Sequence, residues 1–346
     1  MFFIFLERQL RRQHQQILVS DWFSLDLTFL IISLSGGGGG TYWNATATTV
    51  ISAPRITNPT SVYIDASNTF YITDESSNSV IWKLPFNASN ATLIAGVLQV
   101  RGPNVTQLNY PQDAYVDRNG DLYVTDFFNY RVQKFINGSV NGTTIAGTSG
   151  TAGSSTAQLN GIRYFTFDPT DTFMFVADAS NHRIIRFLTN STSNSSGVVV
   201  AGGVGASNAN TGLNNPMGVY YLPSVSNDLY ITNYNGHNII RWTPGATSGT
   251  FVAGVPGSSG QTPVLLNSPM GIRIDNNLNV YVADSGNHRI QMFCANSQTA
   301  ITVAGTGVAG SSSFQLNGPR SITFDASMNM YVADYNNLRV QRFAKL

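Results

Sequence analysis

The sequence predicts an all-β fold, a six-bladed β-propeller built from four-stranded antiparallel blades. Three observations carry the prediction. A nine-residue block, seen in Asn109–Asp117, Asn267–Asp275 and Asn317–Asp325, occurs six times, with its third position at 59, 111, 162, 216, 269 and 319, a period of about 50 residues. Each block is followed by two more strand-like segments, and in five of the six repeats by a fourth strand. The outer strand missing from the last repeat has a counterpart at 47–52, just ahead of the first block.

The block itself reads as the first strand of each blade. In five repeats it closes on an aspartate, Asp65, Asp117, Asp168, Asp275 or Asp325, whose carboxylate suits the tight turn that follows. Asn119-Gly120 marks the tip of the clearest hairpin. Second strands such as Leu122–Asp126 and Val280–Asp284 are rich in β-branched and aromatic residues. Third strands follow, such as Arg131–Phe135 and Arg289–Phe293, and then short outer strands such as Thr144–Gly147. The segment 47–52 is expected to pair with 339–343. This would close the ring and remove the two free sheet edges of an open array.

An Asp-x-x-Asn-x-Arg pattern joins the second strand to the third in four repeats. It appears as Asp126, Asn129 and Arg131; as Asp178, Asn181 and Arg183; as Asp284, Asn287 and Arg289; and as Asp334, Asn337 and Arg339. With the Pro-x-Gly block and the Tyr-Val-Ala-Asp strand, it resembles the NHL repeat family of six-bladed propellers over roughly residues 47–346. Repeat one departs from the pattern, with Asp74 but Ser79 in the arginine slot, and repeat four has Asn233 and Asn238. The four Asp and Arg pairs are expected to be structural locks, since the planar guanidinium fork can bond a carboxylate and backbone carbonyls together. A motif shared by most blades does not define a unique site. Functional residues should be those that differ between blades.

Composition narrows the function classes. Charged residues are 11% of the chain and the net charge is +1, which argues against a nucleic-acid partner held by a basic surface. The single cysteine, Cys294, has no partner for an internal disulfide. Asn-x-Ser/Thr sequons stand at Asn44, Asn87, Asn90, Asn104, Asn137, Asn141, Asn190 and Asn194 and are glycosylation candidates. At the N-terminus, Arg8, Arg11 and Arg12 precede an apolar stretch and then Gly36 to Gly40. Residues 1–40 are therefore expected to be a signal-like leader and glycine linker, and 41–346 the propeller. Asp21 and Asp26 interrupt the apolar stretch, and Leu27 to Leu34 is too short to span a bilayer, so no stable membrane span is expected. The expectation is a secreted monomer. An anchor formed by the leader, or a cytoplasmic chain, is the alternative.

Within the propeller, residues 281–294 are also similar to a segment of the peptidylglycine-amidating lyases. That resemblance implies a zinc ion held by three histidines at the channel. Here His182, His237 and His288 occupy equivalent turn positions in repeats three, four and five, a register in which they need not converge on the axis. Calcium would need several carboxylates, and Asp113 is the only acidic residue in the first-strand columns nearest the channel mouth. No Gly-x-Ser-x-Gly elbow occurs. No metal and no cofactor are expected.

What remains is a binding surface. Gln112, Asp113, Arg163, Tyr164, Met217, Met270 and Arg320 differ between blades and are expected to ring the channel mouth, with Phe127, Phe128, Tyr130, Tyr234 and Tyr335 on the adjoining turns. The competing expectation is that the methionines plug the channel and the strand aromatics pack between blades. The residues favour a non-catalytic propeller recognising a protein, peptide or glycan. The alternatives are a channel-metal-dependent lyase or hydrolase and a cytosolic RNA- or protein-binding NHL module.

Overall fold

The computed structural model describes residues 43–223 and 225–346, so the expected leader over 1–40 lies outside the described residues. The described strands form six four-stranded sheets. In blade two the strands are Pro111–Val116, Leu122–Asp126, Arg131–Phe135 and Gly142–Gly147, hydrogen-bonded in that order from the axis outward. Five blades follow this plan. In the sixth, Thr48–Ser52 is the outer strand and pairs antiparallel with Arg339–Phe343, placing Thr48 opposite Arg342 and Ser52 opposite Arg339. The ring is thus closed by its own N-terminal strand. Beyond that strand the closure continues, with Asn44 N–H donating to the Ala344 carbonyl at 2.7 Å and Trp43 Nε1 to the Met328 carbonyl at 2.8 Å.

The core lies between blades. One buried cluster joins Tyr123 and Val132 of blade two to Phe165, Met174 and Phe187 of blade three, and corresponding clusters recur around the ring. Phe135, Trp242, Phe293 and Phe343 end the third strands of their blades and are among the largest fully buried side chains. Each such ring contributes about 1.5–3 kcal/mol of burial.

Hydrogen bonds explain the recurring geometry of the turns. Asp117 Oδ1 accepts from the Asn119 and Asp121 N–H groups at 2.9 Å, while Tyr123 Oη donates to its Oδ2. At the other end of the blade, Arg131 Nε donates to Asp126 Oδ2 at 2.8 Å and its Nη atoms bond the carbonyls of Pro103, Asn104 and Gln107. Asn129 Nδ2 bridges the same carboxylate to the Gly102 carbonyl.

Blade three repeats the arrangement. There Arg183 Nε donates to Asp178 Oδ2 at 2.7 Å, and the Nη atoms of Arg183 donate to the carbonyls of Ser154, Ser155 and Gln158. Arg289 does the same on Asp284 in blade five, and Arg339 on Asp334 in blade six. Each lock therefore ties the loop entering a blade to the second and third strands of that blade. In blade one, Trp82 Nε1 and Asn78 Nδ2 replace the guanidinium on Asp74, and in blade four Asn233 bonds Asn238 at 3.0 Å.

The three propeller histidines have a structural use. Each occupies a left-handed backbone position, and its Nδ1 accepts an N–H from the next blade: Asn215 on His182, Ser268 on His237 and Gly318 on His288, at 3.0–3.2 Å. All eight sequon asparagines are exposed. Among the described residues no helix is long and apolar enough to cross a membrane.

Candidate functional site

Every first strand carries a register irregularity just after its opening residue, as between Pro111 and Ala114 or between Pro269 and Ile272. Such bulges re-aim side chains that a regular strand would send to opposite faces. Here they occur beside the channel, in the stretch that carries Gln112 and Asp113.

At the mouth formed by the turns between second and third strands, a short polar chain runs across four blades. Arg320 Nη1 of blade six lies 2.8 Å from Glu75 Oε2 of blade one. Gln112 Nε2 of blade two donates to Glu75 Oε1 at 2.7 Å, and Arg163 Nη1 of blade three donates to Gln112 Oε1 at 2.7 Å. Each guanidinium also covers an aromatic ring, Arg320 over Tyr335 at 3.3 Å and Arg163 over Phe127 at 4.2 Å. Two cations therefore share one carboxylate. Burial, together with the field of Arg320, lowers the Arg163 pKa, and the buried Arg163 Nε has no hydrogen-bond partner among the described residues. An N–H left dry costs free energy that an acceptor from a ligand would recover.

Aromatic residues extend this mouth outward. Phe127 meets Phe128 edge-on at 4.6 Å, Phe128 meets Tyr110 at 4.9 Å, and Arg101 lies over Tyr110 at 4.3 Å. Phe128 is 45% exposed. Tyr130 and Tyr234 are half-buried on the equivalent turns of blades two and four.

Of the residues expected to form one ring, Gln112, Arg163 and Arg320 come together here, whereas Tyr164, Met217 and Met270 do not form the mouth surface. These three are 5% exposed and share a buried cluster. The Tyr164 hydroxyl lies within hydrogen-bond distance of the Thr60 and Arg320 carbonyls, so it spans the channel and closes it. Gly218 and Gly271 stand at the Tyr164 position in blades four and five because a Cβ there would meet the Met270 or Arg320 carbonyl at 2.3 or 2.7 Å. Asp113 also parts from the mouth. It lines a cavity of about 1000 Å³ that opens among the hairpins between first and second strands, at the opposite end of the channel. One residue further along a strand carries a side chain about 3.3 Å deeper. With Tyr164 across the axis, that step separates Asp113 from Gln112.

Two further mouth residues, Glu75 and Tyr110, are not among those expected from the sequence. Glu75 carries its own signal. Its column, immediately after the acidic or amide end of the second strand, reads Glu75, Phe127, Ala179, Tyr234, Ser285 and Tyr335, and differs in almost every blade. Tyr110 carries none, because its placement depends on its left-handed backbone and on the neighbouring Phe128.

Residues 108–135 and 266–293, in blades two and five, match the NHL repeat. The chain is a six-bladed β-propeller with NHL repeats in two of its blades. Its resemblance to solved structures is one of fold. It aligns with an auxiliary nutrient binding protein from Bacteroides thetaiotaomicron at 14% identity and TM-score 0.64, covering 84% of this chain and 69% of that one. A gluconolactonase from Xanthomonas campestris aligns at 13% identity and TM-score 0.59, covering 84% and 87%. Virginiamycin B lyase from Staphylococcus aureus aligns at 12% identity and TM-score 0.56, covering 87% and 99%. No curated protein matches the sequence. In this propeller the histidines link neighbouring blades rather than converging. Among the described residues no three His, Cys, Asp or Glu side chains are grouped so as to hold a metal ion.

Proposed function

We propose that this NHL propeller is a non-catalytic recognition module that takes an anionic group of a protein, peptide or glycan at the mouth lined by Arg163 and Arg320. The observation behind this reading is the two-to-one balance of charge. Glu75 answers Arg320, while Arg163 has a neutral amide, a phenyl ring and an unpartnered buried N–H. A carboxylate or sulfate seated against Arg163 would complete that set. The aromatic ladder through half-buried Phe127 and Tyr110 and exposed Phe128 would supply the apolar contact that gives such an interface its affinity. The eight exposed sequons support a secreted glycoprotein, with residues 1–40 as the leader.

Peptide and glycan arrays probed with the full chain test this. Bound members should be enriched in carboxylate or sulfate groups, with binding weakened by salt. The pair of changes Arg163→Gln and Arg320→Gln should abolish it. Equal capture of neutral members, or unchanged capture by the double variant, would overturn the reading. Conversion of a bound member to product would favour the lyase or hydrolase alternative instead.

A further inference from the structure

The cavity at the other end of the channel is built from blade-specific residues. Four positions beyond the third residue of the first-strand block, the six blades carry Tyr63, Tyr115, Thr166, Tyr220, Arg273 and Thr323. All but Thr323 line the cavity, and Asp113 lines it one level nearer the axis plug. The hairpin aspartates at the opening are accounted for by their turns: Asp65, Asp117 and Asp275 each accept two backbone N–H groups. Two interior residues, Arg273 and Tyr220, are not accounted for in this way.

Arg273 is half-buried, donates only to the Ile272 carbonyl, and has no ion-pair partner among the described residues. Asp113 accepts the Ala114 and Phe165 N–H groups, at 3.0 and 3.3 Å, and a hydrogen bond from the Ser61 hydroxyl. The Tyr220 hydroxyl has no hydrogen-bond partner among the described residues, although its ring packs on a buried cluster. Tyr63 and Tyr115 are held firmly, their hydroxyls donating to the Val116 carbonyl at 3.2 Å and to Asp171 at 2.7 Å. Their rings sit 5.1 Å apart. A cation and a hydroxyl are thus left with spare hydrogen-bonding capacity, beside a carboxylate, in a space walled by fixed aromatic rings.

Charge selects among ligand classes. At the opening Arg118 and Asp171 pair with each other at 3.0 Å, so Asp65, Asp117, Asp168 and Asp275 are left to repel an anion there, while Arg273 inside repels a cation. A neutral ligand dense in hydroxyls satisfies both. Vicinal hydroxyls can accept from a guanidinium and donate to a carboxylate at once. The carbon face of a sugar ring can lie against tyrosine. A cavity of about 1000 Å³ has room for one or two sugar rings. We infer that this cavity is a second binding site that takes a neutral mono- or disaccharide, with Arg273, Asp113 and Tyr220 as its polar contacts and Tyr63 and Tyr115 as its wall.

The test uses the full chain, with saturation-transfer NMR and calorimetry against glucose, galactose, mannose, N-acetylglucosamine and their common disaccharides. Gluconate, galacturonate and choline serve as charged controls. At least one neutral sugar should bind, and Arg273→Leu should weaken it by about tenfold or more. Tyr220→Phe, which removes one hydroxyl and leaves the packing, should weaken it measurably with an unchanged melting temperature. The Arg163→Gln, Arg320→Gln double variant should bind the sugar as the parent does, which separates this site from the anion-binding mouth. Failure of every neutral sugar to bind, a preference for the charged controls, or full binding in both Arg273→Leu and Tyr220→Phe would overturn the assignment.

Discussion

The Tyr164 hydroxyl lies 3.0 Å from the Thr60 carbonyl, across the channel and 104 residues away in sequence, and 3.1 Å from the Arg320 carbonyl. One side chain from blade three thus bonds blades one and six. It also divides the axis into an arginine-lined mouth and the cavity that holds Asp113 and Arg273. Burial raises its pKa well above the usual phenol range, so it stays a donor at neutral and moderately alkaline pH. Tyr164→Phe should lower stability by about 1–2 kcal/mol in urea unfolding, because it leaves two buried carbonyls without that donor. Unaltered stability would mean that the ring holds together without this tie.

The Asp and Arg locks differ in burial and should differ in weight. The Arg131 and Asp126 side chains are 2% and 0% exposed, whereas Arg183 is 6% and Arg339 12% exposed. Removing one partner of a buried pair strands the other, so Arg131→Met should cost about 3–5 kcal/mol. Arg339→Met should cost less, with Arg183→Met between them. Denaturant titration of the three variants checks the order.

Glu75→Gln tests the charge balance at the mouth. The glutamine keeps one acceptor oxygen, for Arg320 or Gln112 but not both, and removes the only carboxylate in the polar chain. Anion binding at the mouth should strengthen several-fold, while the free protein loses about 1–3 kcal/mol. Calorimetry with an acidic ligand and thermal melts at low and high chloride measure both effects.

Stability should depend on pH through groups acting in opposite directions, His237 and Asp113 among them. Burial lowers the His237 pKa, and its Nδ1 must be unprotonated to accept from Ser268. Its contribution is complete above the unfolded value of about 6.5 and is lost as pH falls through the folded value. Burial raises Asp113 to about 6, offset in part by Arg273 and by hydrogen bonds. Its contribution is complete below the unfolded value and is lost as pH rises through about 6. His237→Gln should therefore flatten the acid side of a stability profile. Asp113→Asn should gain on the parent as pH rises from about 5 to about 8.

Secretion through a eukaryotic host followed by enzymatic deglycosylation tests the sequons. The chain should appear in the medium and shrink on treatment. Retention in the cytosol at an unchanged mass would remove the secreted reading.

The amino-acid sequence by itself determined the blade number, the strand order within a blade, the closing strand, expected at 47–52 and found at Thr48–Ser52, and the pairing of Asp with Arg across the turns. Each of these repeats at a constant period or joins residues close in the chain, as Asp126 and Arg131 are, or Asp178 and Arg183. The blade-specific columns also pointed to Gln112, Arg163 and Arg320. Only the tertiary structure decided how those columns are used. Glu75 meets Arg320 across 245 residues, through the closure that brings blade six beside blade one. Tyr164 became a plug and Asp113 passed to the far cavity because of a bulge and a one-residue step along each first strand. A periodic pattern records which residues share a position in the repeat. It does not record where six copies of that position meet around an axis, and that meeting sets the chemistry of both ends of the channel.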